Sequence, residues 1–183
     1  MNNLVKRARR GDADAFTELM QSQMQNMYKA ARAILNNDED VADAVADTLL
    51  VCWEKIEQLR KVEFFRTWMT KILINKCNDI LRKKKELHYD DELQEFPEET
   101  QEYNNVEWME VMKCLDEKYR LVMILYYVNG LTAAQISEVL NMPASTVRTR
   151  LARGREQIAI VYQIGEKRNG NRNVSEAANG GRI

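Results

Sequence analysis

Three sets of side chains in this sequence are of types that could do chemistry at the spacing they have. In the first, Phe64, Phe65 and Trp68 lie just upstream of Lys71, Asn75, Asn78 and the run Arg82-Lys83-Lys84-Lys85. Aromatic rings beside cations can stack on unpaired bases while the cations hold backbone phosphates. The same rings are ordinary core residues, and by spacing at least one is expected to be buried; the cationic run alone would equally be a solvated helix end favoured by the macrodipole. In the second set, Ser145, Thr149, Ala152 and Arg153 lie on the side of a predicted helix opposite its apolar residues, flanked by Arg148, Arg150 and Arg155. Hydroxyls and guanidinium groups so placed can reach base edges and phosphates. The third set, Asp40, Asp43 and Asp47, reads on composition alone as a solubilising helix face more readily than as a dock for a basic partner.

Other chemistries lack their residues. His88 is the single histidine and stands outside any CxxC or HxxxH spacing, so neighbours in sequence cannot assemble a zinc site. Cys52, Cys77 and Cys114 are odd in number, widely separated and set among apolar residues, which reads as small core side chains in a reducing compartment. No GxxxxGK[ST], GxGxxG or GxSxG pattern occurs, so phosphate cradles and nucleophile elbows are absent. No enzyme, metal or cofactor is expected. The N-terminus has no apolar stretch after its basic residues and no run approaches the ~18 apolar residues of a membrane span. A soluble, cytoplasmic chain is expected.

The elements that must position these residues are helices. Only two prolines and seven glycines occur, four of them among the last nineteen residues, and no segment alternates apolar and polar residues as a sheet requires. The class is all-α. Phe16, Met20, Met24, Met27, Ala31 and Ile34 predict one long helix from about Ala13 to Leu35, and Val41, Val45, Leu49, Cys52, Ile56 and Leu59 a second one after Asn36-Asn37-Asp38. At 100° per residue, Met69, Leu73, Cys77 and Ile80 fall within an arc of about 80°, with Lys71, Asn75, Asn78 and Arg82 opposite. Trp108, Val111, Leu115, Tyr119, Val122 and Tyr126 outline amphipathic helices ending at Asn129-Gly130. Thr132 and Gln135 then have capping-box spacing before Ile136, Val139 and Leu140. After Asn141-Met142-Pro143, the residues Val147, Leu151, Gly154 and Ile158 mark the next helix. Two short helices around a three-residue turn form a helix-turn-helix pattern, whose second helix enters the major groove.

Charge divides the chain further. The formal net charge is −1, but residues 1 to 85 carry +4, Glu86 to Lys118 −10, and Tyr119 onward +5. Two small helical domains joined by a flexible acidic linker follow: 1–85, a linker at 86–105 around Asp90 to Glu99, and 106–165, with 166–183 a glycine- and asparagine-rich tail expected to lack structure.

The ordered series of motifs resembles the bacterial RNA polymerase sigma factors, specifically their extracytoplasmic-function group within the sigma-70 family. Arg10-Gly11-Asp12-Ala13-Asp14-Ala15-Phe16-Thr17-Glu18-Leu19 is similar to the family's opening helix. Asp40-x-x-Asp43-x-x-x-Asp47-Thr48-Leu49-x-x-x-Trp53 is similar to its acidic second helix, and Trp68-Met69 with Asn75, Asp79, Leu81 and Arg82 to its promoter-reading helix. Leu115-Asp116-Glu117-x-x-Arg120, Gly130-Leu131-Thr132 and Pro143-Ala144-Ser145-Thr146-Val147-Arg148-Thr149-Arg150-Leu151 resemble its terminal helix-turn-helix. Ala46, Asp116 and Ser145 depart from a common glutamine, proline and glycine. The resemblance implies a factor that directs core polymerase to selected promoters. It implies that Asp40, Asp43 and Asp47 dock on the polymerase clamp helices, reversing the solubilising reading. It implies that Phe64, Trp68, Lys71, Asn75, Asn78, Asp79 and Arg82 bind and open the minus-ten element. It further implies that Ser145, Thr146, Arg148, Thr149, Arg150 and Arg153 read the minus-thirty-five element while the domain rests on the polymerase flap. Such factors are often held by anti-sigma proteins. A helix-turn-helix regulator acting alone would explain Thr132 to Gln157 but leave the acidic and aromatic-basic helices without a task. An all-helical protein-binding adaptor would leave the arginine-rich helix unexplained.

Overall fold

The computed structural model describes residues 1–87, 112 and 114–179, with side chains for 1–86, 112 and 114–161. Almost all of the expected acidic linker therefore lies outside the described residues, as do Trp108 and Val111. The order is α1 (Asn2–Ala8), α2 (Ala13–Gln21), α3 (Met24–Arg32), α4 (Asp38–Lys55), two 3-10 turns (Ile56–Gln58 and Val62–Phe64), α5 (Phe65–Leu87), α6 (Glu117–Tyr127), α7 (Ala133–Leu140) and α8 (Ala144–Asn179). Among the described residues there is no strand, and no described helix is long and apolar enough to cross a membrane.

Caps set the starts of the N-terminal helices. After Gly11, whose φ of +85° suits only glycine without strain, Asp12 accepts the Ala15 N–H at 2.9 Å and the Arg7 guanidinium at 2.7 Å. These two donors, the backbone one first, hold its carboxyl below the usual range. Asn37 opens α4 in the same way, accepting the Asp40 N–H at 2.7 Å.

The single helix expected from Ala13 to Leu35 is two. The Ser22 hydroxyl donates to the Leu19 carbonyl at 2.6 Å and the Gln23 N–H to the Met20 carbonyl at 3.0 Å, so the ladder tightens to i→i+3 bonds and the helical phase is reset. Met24, expected in the apolar seam, is consequently 38% exposed, while Leu19 is fully buried.

α4 and α5 pack side by side and run antiparallel, as their ion pairs show: Asp47 meets Lys76 and Asp40 meets Lys84. Between them lie Val41, Ala44, Val45 and Cys52 from α4 and Phe65, Met69, Leu73 and Cys77 from α5, all buried. Burial raises both thiols to about 12, so these cysteines behave as small apolar groups.

In the C-terminal part four consecutive residues of α6, Val122 to Leu125, are buried. An amphipathic helix with one apolar stripe would not show this. α6 touches α7 and α8 on one side and α3 of the N-terminal helices on another, so it is covered nearly all round. Tyr126, expected on the inner face, is 37% exposed. Gly154 permits the α6–α8 approach: a Cβ there would stand 2.9 Å from Met123 Cγ and 3.6 Å from Tyr119 Cβ. The backbone of α8 continues to Asn179, into the segment expected to be a structureless tail; no proline interrupts it, although its glycines and asparagines make poor helix on their own.

Candidate nucleic-acid interface

The aromatic-basic set sorts into core and surface. Phe65 is fully buried and is the ring that spacing required to be in the core, with Trp68 half-buried against it at 6.1 Å between centroids. Phe64, at the end of the 3-10 turn, is 46% exposed with the Lys61 ammonium 6.0 Å from its ring centre. An exposed ring presented beside a cation is an arrangement on which an unpaired base stacks. Along α5, Lys71, Asn75, Asn78 and Arg82 are exposed opposite the buried Leu73 and Cys77. Asp79 is half-buried and pairs with Arg82 at 3.0 Å. The cationic run is not a uniform patch: Lys84 is half-buried against Asp40, while Lys83 and Lys85 face solvent.

That pairing changes the acidic set. Asp40 retains 16% of its side-chain surface and is held by Lys84, and Asp47 is held by Lys76 at 3.1 Å. Asp43 is exposed, with no ion pair among the described residues. On the helical wheel the point opposite the buried arc of α4 is Leu50, which is 63% exposed. Ala46 and Trp53 flank it, and Trp53 keeps 43% of its surface while meeting Phe16 edge-on at 4.9 Å. The outward stripe is thus Glu39, Asp43, Ala46, Leu50, Trp53 and Glu54, three exposed carboxylates around an apolar centre. Leu50 was missed because the acidic residues were read as the face; its place opposite Val45, Thr48 and Cys52 on the wheel was the available signal.

In the helix-turn-helix, Thr132 caps α7 with both halves of a capping box, its hydroxyl accepting the Gln135 N–H while Gln135 accepts the Thr132 N–H at 2.9 Å. Asn141 leaves α7 in the left-handed region at φ 49°, which its short amide side chain tolerates better than most. The Ser137 hydroxyl donates to the Met142 carbonyl at 2.6 Å, and the Pro143 carbonyl accepts the first bond of α8, from the Val147 N–H at 3.1 Å. Val147 and Leu151 then bury one side of α8.

The opposite side presents Ser145, Arg148, Thr149 and Arg153 to solvent. Thr149 donates its hydroxyl to the Ser145 carbonyl at 3.0 Å, leaving it an acceptor. Arg153 pairs with Glu156 at 3.0 Å, and Arg155 donates to the Tyr127 hydroxyl at 2.8 Å; Arg148 has no ion pair among the described residues. Thr146 and Arg150 are half-buried, and Arg150 turns toward a cleft it shares with Asn75 and Asn78 of α5. The expected reading residues therefore do not form one surface: four project outward and Arg150 faces the N-terminal helices. Among the described residues no group of histidine, cysteine or carboxylate side chains is placed to hold a metal.

Comparison with known proteins agrees with this geometry. The chain matches the family models for sigma-70 region 2 over residues 5–86 and for sigma-70, region 4 over residues 105–158. The ECF RNA polymerase sigma factor SigW of Bacillus subtilis is 28% identical over 173 residues, spanning 84% of this chain and 92% of that protein. The RNA polymerase sigma factor SigV of the same organism is 30% identical over 132 residues, 70% of this chain and 80% of that one. Among solved structures, CnrH in complex with the cytosolic domain of CnrY shares the fold with a TM-score of 0.61 at 23% identity, covering 89% of this chain and 97% of that one. The sigma factor RpoE from Bartonella quintana, solved with the anti-sigma factor NepR, does so with a TM-score of 0.61 at 17% identity, covering 80% and 98%. With an exposed aromatic-basic helix in the region 2 match and a capped helix-turn-helix in the region 4 match, the chain belongs to the sigma-70 family, in its extracytoplasmic-function group of RNA polymerase sigma factors.

Proposed function

We propose that this chain binds core RNA polymerase and directs it to selected promoters, with the work divided between residues 1–85 and 106–165. The outward stripe of α4, centred on Leu50 with Asp43 beside it, docks on the clamp helices. Asp40 and Asp47 act one step behind, fixing α4 against α5. Phe64 and Trp68 receive an extruded base of the minus-ten element, while Lys71, Asn75, Asn78 and Arg82 follow the strand, because a base must leave its duplex before its edge is fully readable. Ser145, Thr146, Arg148, Thr149 and Arg153 read the minus-thirty-five element as duplex through the major groove while that domain rests on the flap. The chain supplies binding and base capture; bond formation belongs to polymerase, and the site of action is the cytoplasm, where polymerase and chromosome are. An anti-sigma protein, the kind of partner present in the RpoE structure, is part of the reading.

The observation that carries it is the occurrence, in one chain and in this order, of the exposed Phe64 beside Lys61 and the capped helix-turn-helix with its outward Arg148. The test is reconstituted transcription with purified bacterial core polymerase on a library of promoter fragments. Binding to core and initiation at a shared sequence class is the expected result. Tight binding to duplex DNA with no affinity for core would overturn it in favour of a regulator acting alone.

A further inference from the structure

A cleft of about 480 Å3 lies where α5 faces the turn of the helix-turn-helix, with Asn75 and Asn78 on one wall and Asn141 and Arg150 on the other. Among the described residues none of these four side chains makes a hydrogen bond or an ion pair. Arg150 is half-buried, so its guanidinium has given up part of its water without gaining a partner. The other cation at the cleft, Lys118, is already held by Asp116 at 3.6 Å and lies 4.9 Å from the Tyr119 ring centre. Glu117 lines the cleft too, exposed and without an ion pair among the described residues. Ile34 and Ile74 on one side and Leu121 and Met142 on the other supply the apolar part of the lining.

These groups together describe a ligand. The volume falls within the range of about 300–1,000 Å3 in which proteins enclose a single small molecule. Two apolar walls take a flat ring between them. Amides, which donate and accept side by side, match the N6 and N7 edge of an adenine. A guanidinium with no partner of its own matches a phosphate, which it can hold through two parallel N–H···O bonds. A free carboxylate matches the hydroxyls of a ribose. An inorganic anion would use Arg150 alone, and a fatty acid would leave the three amides unpaired, at the cost that unmade hydrogen bonds carry.

We propose that the cleft is a binding site for an adenine ribonucleotide, of which adenosine 5′-monophosphate is the simplest: the base lies between the apolar walls with its edge on Asn75 and Asn78, the ribose faces Glu117, and the phosphate sits on Arg150 with Asn141 beside it. The site belongs to the chain by itself and does not rest on the promoter-binding reading. While it is filled, Asn75 and Asn78 serve the nucleotide and are not available to any other ligand.

The experiment is equilibrium dialysis of the full chain, without polymerase or DNA, against radiolabelled adenosine 5′-monophosphate, with uridine 5′-monophosphate, adenosine and inorganic phosphate as competitors. One equivalent bound, and displacement by each competitor at least about fivefold weaker than by the unlabelled nucleotide, are expected. Arg150→Gln removes the charge-assisted bonds to the phosphate and should weaken binding about ten- to a hundredfold, and Asn78→Ala about two- to tenfold. Arg148→Gln, on the outward side of α8, should change it by less than about twofold. Circular dichroism melts of each variant establish that the fold is kept. No saturable binding to the parent chain would overturn the proposal. So would displacement by inorganic phosphate or uridine 5′-monophosphate as effective as by the adenine nucleotide, which would mark a plain anion site. An equal loss in Arg148→Gln and Arg150→Gln would also overturn it, by placing the nucleotide on the outward cationic face.

Discussion

Leu50→Ala separates the docking face proposed on the outward stripe of α4 from the one expected in the sequence. The substitution removes three carbon atoms, worth about 0.8 kcal/mol each when fully buried. Because 63% of the residue is open to solvent in the free chain, covering it on polymerase recovers that fraction of about 2.4 kcal/mol, or about 1.5 kcal/mol. This corresponds to about a tenfold rise in Kd. The fold should not notice, since an exposed leucine contributes little to the core, and Leu→Ala is favourable to helix propensity. Asp40→Asn should behave in the opposite way. Its carboxylate is held by Lys84 with little surface to offer a partner, so thermal stability should fall while core affinity changes by less than about twofold, within the usual scatter for surface sites. Titration of a fluorescently labelled chain with core polymerase, read by anisotropy, gives the affinities, and circular dichroism melts give the control. A Leu50→Ala chain that binds core as tightly as the parent, beside an Asp40→Asn chain that binds tenfold worse at equal stability, would refute the assignment of the outward stripe.

Three further predictions are independent of that one. Arg148→Ala should cost ~1–3 kcal/mol on the preferred upstream element and relax preference there alone; a loss equal on every sequence, measured by competition binding of holoenzyme, would mark a phosphate contact instead. Gly154→Ala should destabilise by about 1–3 kcal/mol in urea unfolding, because the new Cβ meets the buried Met123 at 2.9 Å. In a Met123→Ala background the same change should be neutral or stabilising, since alanine is the better helix former by about 1 kcal/mol. Of the three thiols only Cys114 should react with a maleimide or Ellman's reagent in the native chain, as burial moves Cys52 and Cys77 from 9.0 to about 12. That shift cuts their thiolate fraction about a thousandfold near neutral pH, and all three should react in urea.

Much of this was legible before any coordinates because it depends on short-range rules. The capping box at Thr132 and Gln135, the turn at Asn141 to Pro143, and the outward placement of Lys71, Asn75, Asn78 and Arg82 follow from cap chemistry and a period of 3.6 residues. The structure shows each where the sequence puts it. The break at Ser22-Gln23 was not legible, since neither residue is a strong helix breaker and a serine hydroxyl within a helix can bond a preceding carbonyl, as it does to Leu19, or point to solvent. Nor was the all-round burial of α6, because periodicity reports one apolar face and cannot say how many neighbours a helix has.

By itself, then, the sequence determined which residues could contact nucleic acid and on which helix each sits, since residue type and helical phase are local properties. Only the tertiary structure decided which of them are free to act. Lys76 and Lys84 lie 29 and 44 residues from the aspartates they bind, and that pairing leaves the stripe at Leu50 as the outward face. Arg150 and Asn78 are 72 positions apart and meet across a cleft. Contacts between residues so far apart are set by packing, in which the burial of apolar faces chooses the neighbours, and no pattern within a single helix encodes them.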